Sequence, residues 1–401
     1  MKTIPIKLRR NKKKYVFVFL LILISLCIVF SFTQITVSAK DEEQAEEKLN
    51  ETVSELLSKL DLEELQSYVE SLGVSDTNVA ERLLKHIKGE DFNYDDFTSK
   101  LGEVLLQKVY EILPAFACIT AITLLSGIIS SLKSGTLANT ASNMIILISY
   151  IASLIPLIGV LTDCFQTSLR CISNMQKQMQ IVYPLLLTLM ATSGGSVSVA
   201  VCRPAVAFFS TNIVSIISTV VLPLTITIIA FSMASNLTKE LKISKFSAFF
   251  KSTNKWIIGI CVSVFGIFFT LQGITTASYD GIVRRATKYA IGNGIPIVGG
   301  FLSGGFDLAV ASSVLIKNSL GSMSIFLMIT VLFEPIILLL STGLLLRFTS
   351  AVTQPFGDAR ISDFLGETAD NLHYCTAGLL FTAFLYFLSI MLFVVSSEAL
   401  F

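Results

Sequence analysis

The chain has 401 residues, 53% of them hydrophobic and 15% charged, with a mean hydropathy of +0.72. That balance excludes an ordinary soluble globular protein. The net charge of +1 hides an asymmetry: residues 1–39 carry seven basic side chains and no acidic one, residues 40–110 eight and eighteen, and residues 111–401 fifteen and eleven. The sequence therefore divides into a basic leader, an acidic region and a long apolar body.

The leader has the pattern of a secretory signal. Lys2, Lys7, Arg9, Arg10, Lys12, Lys13 and Lys14 precede an apolar run over residues 15–32, and Val37-Ser38-Ala39 forms a small-residue cleavage site. The run is long for a signal peptide, which leaves an uncleaved anchor as the alternative. Leu26 before Cys27 argues against lipoprotein processing. Either reading exports the region that follows.

Residues 40–110 read as a small extracytoplasmic helical region. Leu49, Val53, Leu56, Leu57 and Leu60 recur at helical spacing on one face, and Val79, Leu83, Leu84 and Ile87 repeat the pattern. Asp61 or Asp76 is the expected cap of a following helix. The region is too short for a large core and is expected to dock on the body or on a partner.

Residues 111–401 read as a multi-pass membrane domain, an all-α bundle of polytopic helices, some broken or re-entrant. Two spans are predicted over residues 112–132 and 143–162, joined by a connector holding Lys133. With the acidic region outside, that connector is cytoplasmic. Residues 163–180 are amphipathic, with Arg170 and Lys177 among apolar positions, and are predicted to lie along the membrane surface.

The stretch 183–204 is the most informative. An apolar run stops at Ser193-Gly194-Gly195, and Arg203-Pro204 follows soon after. Paired glycines permit sharply turned backbone and raise the cost of helix. Freed backbone groups at membrane depth need protein or a water-filled cavity around them. A broken helix is therefore a pore or binding-site pointer, set against a kinked helix whose glycines serve close packing.

Next, residues 208–235 are apolar with Pro223 inside, and residues 239–255 carry five lysines against one glutamate, a cytoplasmic signal. The simplest topology makes residues 181–209 a re-entrant hairpin turning at the glycines and residues 211–235 one inward crossing. Residues 256–279 return outward. A second break is expected where residues 289–301 meet Ser303-Gly304-Gly305, followed by residues 306–316 with Asp307 and Lys317 near the ends. Residues 322–346 form a span containing Glu334-Pro335, and residues 374–395 the last span, after a polar segment over 347–373. Residues 163–278 and 280–398 share this order of features, as a parallel repeat would.

Arg203, Asp307, Lys317 and Glu334 lie in or beside apolar runs, where a charge costs about 2.5–3.5 kcal/mol or more unless it faces protein or water. They offer two acids and two bases, for structural pairing or for a transport path. Enzyme signatures are absent: the histidines are His86 and His373, with no GxSxG, HExxH or P-loop string. No catalytic residue, metal site or cofactor is expected. The seven cysteines have no CxxC spacing and read as packing residues.

Three longer strings carry a family resemblance: residues 185–204 (LLLTLMATSGGSVSVAVCRP), 272–294 (QGITTASYDGIVRRATKYAIGNG) and 306–321 (FDLAVASSVLIKNSLG), with Gln354-Pro355-Phe356-Gly357. In these the chain resembles the stage III sporulation protein AE family of endospore-forming bacteria. The second Ser-Gly-Gly, at 303–305, stands outside the resembling pattern. The resemblance implies a multi-pass protein of the mother-cell membrane around the forespore, acting with the other stage III sporulation A proteins and stage II sporulation protein Q. It implies a membrane-embedded channel or export component with the acidic region in the intermembrane space. A non-conducting scaffold that anchors the complex is the alternative. The candidate pore or break residues are Ser193, Gly194, Gly195, Arg203, Pro204, Ser303, Gly304, Gly305, Asp307, Lys317 and Glu334.

Overall fold

The computed structural model describes residues 42–72, 78–88, 94–131, 136–193, 199–200, 203–204, 208–237, 244–294, 299–355 and 359–395, with side chains described outside 42–46, 94–101, 130–143, 209–210, 244 and 271–306. The chain divides into two units, Met1–Leu49 and Asn50–Phe401, and the second contains the helical bundle. The described residues contain helices and no strand. Apolar composition of this degree demands it, because a helix satisfies its own backbone where lipid replaces water.

Three short helices come first: α1 (Glu42–Lys59), α2 (Glu63–Ser71) and α3 (Val79–Ile87). Val53 and Leu57 of α1 and Val79 and Leu83 of α3 are buried, with Leu56, Leu60, Leu84 and Ile87 packed against the same core, so the periodic faces are the buried ones. The side chain of Asn78 caps α3 by accepting from Ala80 N at 2.9 Å. Asp61 Oδ1 accepts from Glu63 N at 3.3 Å beside the start of α2, while Asp76 lies outside the described residues.

The body consists of α4 (Tyr94–Ser131), α5 (Thr136–Thr192), α6 (Leu222–Leu237), α7 (Ser244–Gly294), α8 (Gly299–Thr353) and α9 (Ala359–Val395). Two π-helical stretches, Phe208–Ile213 and Ile217–Val221, bracket one α-turn and lead into α6. Pro223 explains the second: it donates no N–H and its ring crowds the carbonyl four residues earlier, which widens the turn. Asn254 of α7 reaches across to this place, donating to the Val221 carbonyl at 3.4 Å and to Thr225 Oγ1 at 3.0 Å.

Among the described residues, six helices are long and apolar enough to cross a membrane: Gly102–Ile129, Met144–Thr192, Thr211–Leu237, Lys245–Thr270, Asp307–Thr353 and Ala359–Val395. Side-chain pairs show that neighbours alternate in direction. Thr192 meets Ser313, Gln178 meets the Ser324 carbonyl and Cys164 meets Thr342, which sets α5 antiparallel to α8. Ser350 with Ser362 and Lys317 with Val394 do the same for α8 and α9. Ser232 with Glu367 sets α6 against α9, and Phe231 stacked on Phe246 and Phe250 sets α6 against α7. The five helices α5 to α9 therefore alternate in direction, and α9 is the buried centre, packed on α5, α6, α7 and α8.

Several helices are longer than the sequence suggests. α5 has 57 residues, α8 has 55 and α7 has 51. At about 1.5 Å per residue, α5 is roughly 85 Å long against a hydrocarbon core of about 30 Å. The predicted surface helix over 163–180 is thus part of α5, with Cys164, Phe165, Ser168, Cys171, Ile172, Met175 and Met179 buried in the bundle. Its polar positions are the outward face of a core helix: Met144, Leu147, Ile148, Ile151, Ile155 and Ile158 are exposed on the lower part, and Thr162, Asp163, Gln166, Arg170, Ser173, Lys177 and Gln180 farther along. An amphipathic pattern does not distinguish lipid headgroups from water on the polar side.

Two other expectations are corrected. Residues 181–192 do not form a hairpin limb of their own but continue α5, so α5 ascends to the break and the stretch from Phe208 to Leu237 makes the single descent. Ser303-Gly304-Gly305 does not interrupt a helix, because α8 runs through it and joins the separate pieces expected over 306–316 and 322–346. α7 ends at Gly294 and α8 begins at Gly299, and the expected repeat loses its matching break at the second Ser-Gly-Gly.

Candidate functional site

The apolar run of α5 ends in a set of side-chain bonds. Val182, Tyr183, Leu185, Leu186, Leu187, Leu189 and Met190 are buried. The last carbonyls of a helix have no following N–H groups. Here Thr192 Oγ1 donates to the Leu189 carbonyl at 2.9 Å, Ser193 N to the same carbonyl at 3.0 Å, and Ser193 Oγ to the Met190 carbonyl at 2.9 Å. Thr192 also lies 3.0 Å from Ser313 Oγ of α8, which ties this end to the neighbouring helix. Ser193 is therefore where the helix stops, as its position before two glycines predicts. Gly194 and Gly195 lie outside the described residues.

A cleft of about 530 Å³ opens beside this end. Met179, Tyr183, Pro184 and Leu187 of α5 and Val199 give it apolar walls, and Gln180, Thr188, Arg203 and Thr211 supply polar groups. Pro184 contributes in a second way. Lacking an N–H, it leaves the carbonyl of Gln180 without its helical donor on the wall of the cleft. Arg203 and Pro204 are both exposed.

The other candidate charges do not gather there. Asp307, Lys317 and Glu334 lie on the single helix α8, spaced by about 15 and 25 Å along it. Asp307 is half-buried. Lys317 is fully buried, and its Nζ donates to the Val394 carbonyl at 2.7 Å, capping the C-terminal end of α9. Glu334 pairs with Lys108 of α4 at 3.1 Å, and Lys108 also holds Glu111 at 3.0 Å. Ser303, Gly304 and Gly305 have helical backbone, and their side chains lie outside the described set.

Sequence reasoning missed the partners. Lys108 was legible as a neighbour of Glu111 on one helix, but nothing local links it to Glu334. It also missed the polar ties of the short N-terminal helices: Tyr68 Oη donates to the Asn174 carbonyl of α5 at 3.1 Å, Ser319 Oγ of α8 to the Leu83 carbonyl at 3.2 Å, and Ser322 Oγ lies 2.8 Å from His86 Nε2. A cavity of about 80 Å³ remains between α3 and α8, lined by Arg82, His86, Ser319, Ser322 and Phe326. Burial lowers the affinity of His86 and of Arg82 for their protons, and it pushes the Tyr68 hydroxyl up, with Cys171 adding to the shift. Among the described residues, no group of three or more histidines, cysteines or carboxylates is placed to hold a metal ion. Cys164, Cys171, Cys261 and Cys375 are free and buried, Cys118 free and exposed.

A family described as stage III sporulation protein AE matches residues 78–397. The stage III sporulation protein AE of Bacillus subtilis (strain 168) is 24% identical over 309 residues, which cover 77% of each chain. No solved structure matches. With the match running from α3 to the end of α9, the chain belongs to the stage III sporulation protein AE family.

Proposed function

We propose that this protein is the membrane-embedded channel or export component of the complex between mother cell and forespore, needed for late forespore development. Residues 1–39 direct export, residues 40–110 stand in the intermembrane space, and residues 111–401 cross the mother-cell membrane. The lysine-rich stretch 239–255 is cytoplasmic. Its partners are the other stage III sporulation A proteins and stage II sporulation protein Q. The observation that carries the reading is the end of α5 at Thr192, where its apolar run stops, beside a cleft with Arg203 on its wall. Polar groups and interrupted backbone within an apolar body are what a passage through the membrane requires.

The test is Gly194→Leu with Gly195→Leu. Leucines favour one continuous helix across the break and fill the space beside it. The double variant should be inserted and should co-purify with its partners, yet spore yield should fall. Normal spore yield with both leucines present would falsify the passage.

A scaffold that anchors the complex without conducting is the second reading. What favours it is that Lys317 and Glu334 are both held in ties between helices, as architecture requires. Cysteines placed through residues 185–210 in the assembled complex separate the two: a passage admits a small water-soluble thiol reagent, a scaffold excludes it.

A further inference from the structure

The first turns of α7 present cations and aromatic rings to the outside. Lys245, Phe246, Phe249, Lys255 and Trp256 are exposed and Lys251 is half-buried, with Phe246, Phe249 and Trp256 at 61%, 62% and 71%. At helical spacing, Lys245, Phe249 and Trp256 fall within about 40° of one another, flanked by Phe246 and Lys255. Phe231 of α6 fixes this face from behind, stacking on Phe246 at 6.4 Å and on Phe250 at 5.4 Å, and Phe250 meets Phe249 edge-on at 5.5 Å.

Three features say what covers it. No aspartate or glutamate occurs between Ser244 and Thr270, and none of Lys245, Lys251 and Lys255 forms an ion pair with a carboxylate among the described residues. Directly beyond Trp256 the exposed side chains become Ile260, Val262, Val264 and Ile267, so the cations stand at the edge of an apolar surface. Large exposed aromatics at such an edge belong at headgroup depth, with lysine stems lying along the apolar face and ammonium groups reaching phosphate. A nucleic acid or an acidic soluble protein would meet the charges and leave the adjoining isoleucine and valine face in water.

We propose that the base of α7 is a binding site for anionic phospholipid headgroups, held by Lys245, Lys251 and Lys255 within a collar of Phe246, Phe249 and Trp256. The site requires no particular orientation across the membrane and no conduction, so it stands or falls apart from the channel reading.

Trp256 is the only tryptophan of the chain and serves as the probe. The full chain is reconstituted in phosphatidylcholine nanodiscs containing either brominated phosphatidylglycerol or brominated phosphatidylcholine, and quenching of Trp256 is measured. Phosphatidylglycerol should quench preferentially, with an association at least about fivefold stronger, the effect of one lysine near an anionic surface. Added salt should reduce that preference. Replacing Lys245, Lys251 and Lys255 by glutamine should bring the two lipids level while phosphatidylcholine quenching persists. Equal quenching by both lipids in the parent protein overturns the proposal, as does a preference that survives the substitutions. Should the variant fail to fold, the parent decides alone: a preference indifferent to salt also overturns it.

Discussion

Replacing Lys317 by methionine asks whether the buried ammonium serves the architecture or a conduction path. Its Nζ lies 2.7 Å from the Val394 carbonyl, beside the end of α9 at Val395. Methionine keeps most of the stem and volume, so the change isolates the charge and its bond. A charge-assisted hydrogen bond contributes about 1.5–3 kcal/mol, and a cation at a helix C-terminus adds about 0.3–1 kcal/mol. Opposing this is the desolvation of the ammonium, several kcal/mol for an unpartnered ion. The structure tips the comparison toward the bond. Val394 is 3% exposed, so little water reaches its carbonyl when the lysine is gone. Gly321, one turn along α8, allows the approach: a Cβ there would meet Val394 Cγ2 at 2.6 Å and Ile390 Cγ2 at 3.4 Å. The expected net loss is about 2 kcal/mol, seen as a Tm lower by several degrees in the detergent-purified protein. Gly321→Ala should destabilise through the same contact, and the double variant should lose less than the two single losses combined. Equal or greater stability of Lys317→Met refutes the cap. It would mean that the ammonium is kept at a cost to stability, and spore yield should then collapse while the protein persists.

The short N-terminal helices give two further tests and α7 a third. Tyr68→Phe removes the bond to the Asn174 carbonyl and should weaken docking of α2 by about 1 kcal/mol, read as faster protease cleavage within residues 50–88. Burial holds the proton affinity of His86 below its ordinary value, so the docked state binds fewer protons than the released one; docking is complete above about pH 6.5 and weakens as pH falls toward the lowered value. Protection of α3 should decline over that interval, with Arg82 adding repulsion, and His86→Gln should flatten the profile. Asn254→Leu removes the bonds to the Val221 carbonyl and Thr225 Oγ1 at the π-helical turn while Thr225 Oγ1 still donates to that carbonyl at 2.8 Å, and should cost about 1 kcal/mol in thermal stability with membrane insertion unchanged.

Much of this fold was legible because lipid imposes simple demands. The long apolar helices followed from the apolar runs, and the faces of α1 and α3 followed from Val53, Leu57, Val79 and Leu83. What the sequence could not show was helix length. Residues 163–192 are polar enough on one side to look like a separate element, yet Cys164, Ile172, Met175 and Met179 bury the other side and keep α5 continuous. Partners across the bundle were equally hidden, since Lys108 and Glu334 stand 226 positions apart and meet only after α8 has packed on α4.

The two Ser-Gly-Gly strings show why local chemistry left the breaks undecided. Each glycine costs a helix only about 1 kcal/mol relative to alanine, less than one good tertiary contact supplies or removes. At the first string, Thr192 and Ser193 turn their hydroxyls onto the carbonyls of Leu189 and Met190, and Ser313 bonds Thr192 from the side, so ending the helix leaves those carbonyls satisfied. At the second, α7 ends at Gly294 and α8 begins at Gly299, so the string falls inside a helix. A helix that begins at Gly299 reaches residues 303–305 in its second turn, where stopping would strip backbone bonds already formed. Helix therefore continues through Ser303-Gly304-Gly305 to Lys317 and Gly321, and the close contact with α9 built there depends on that continuity.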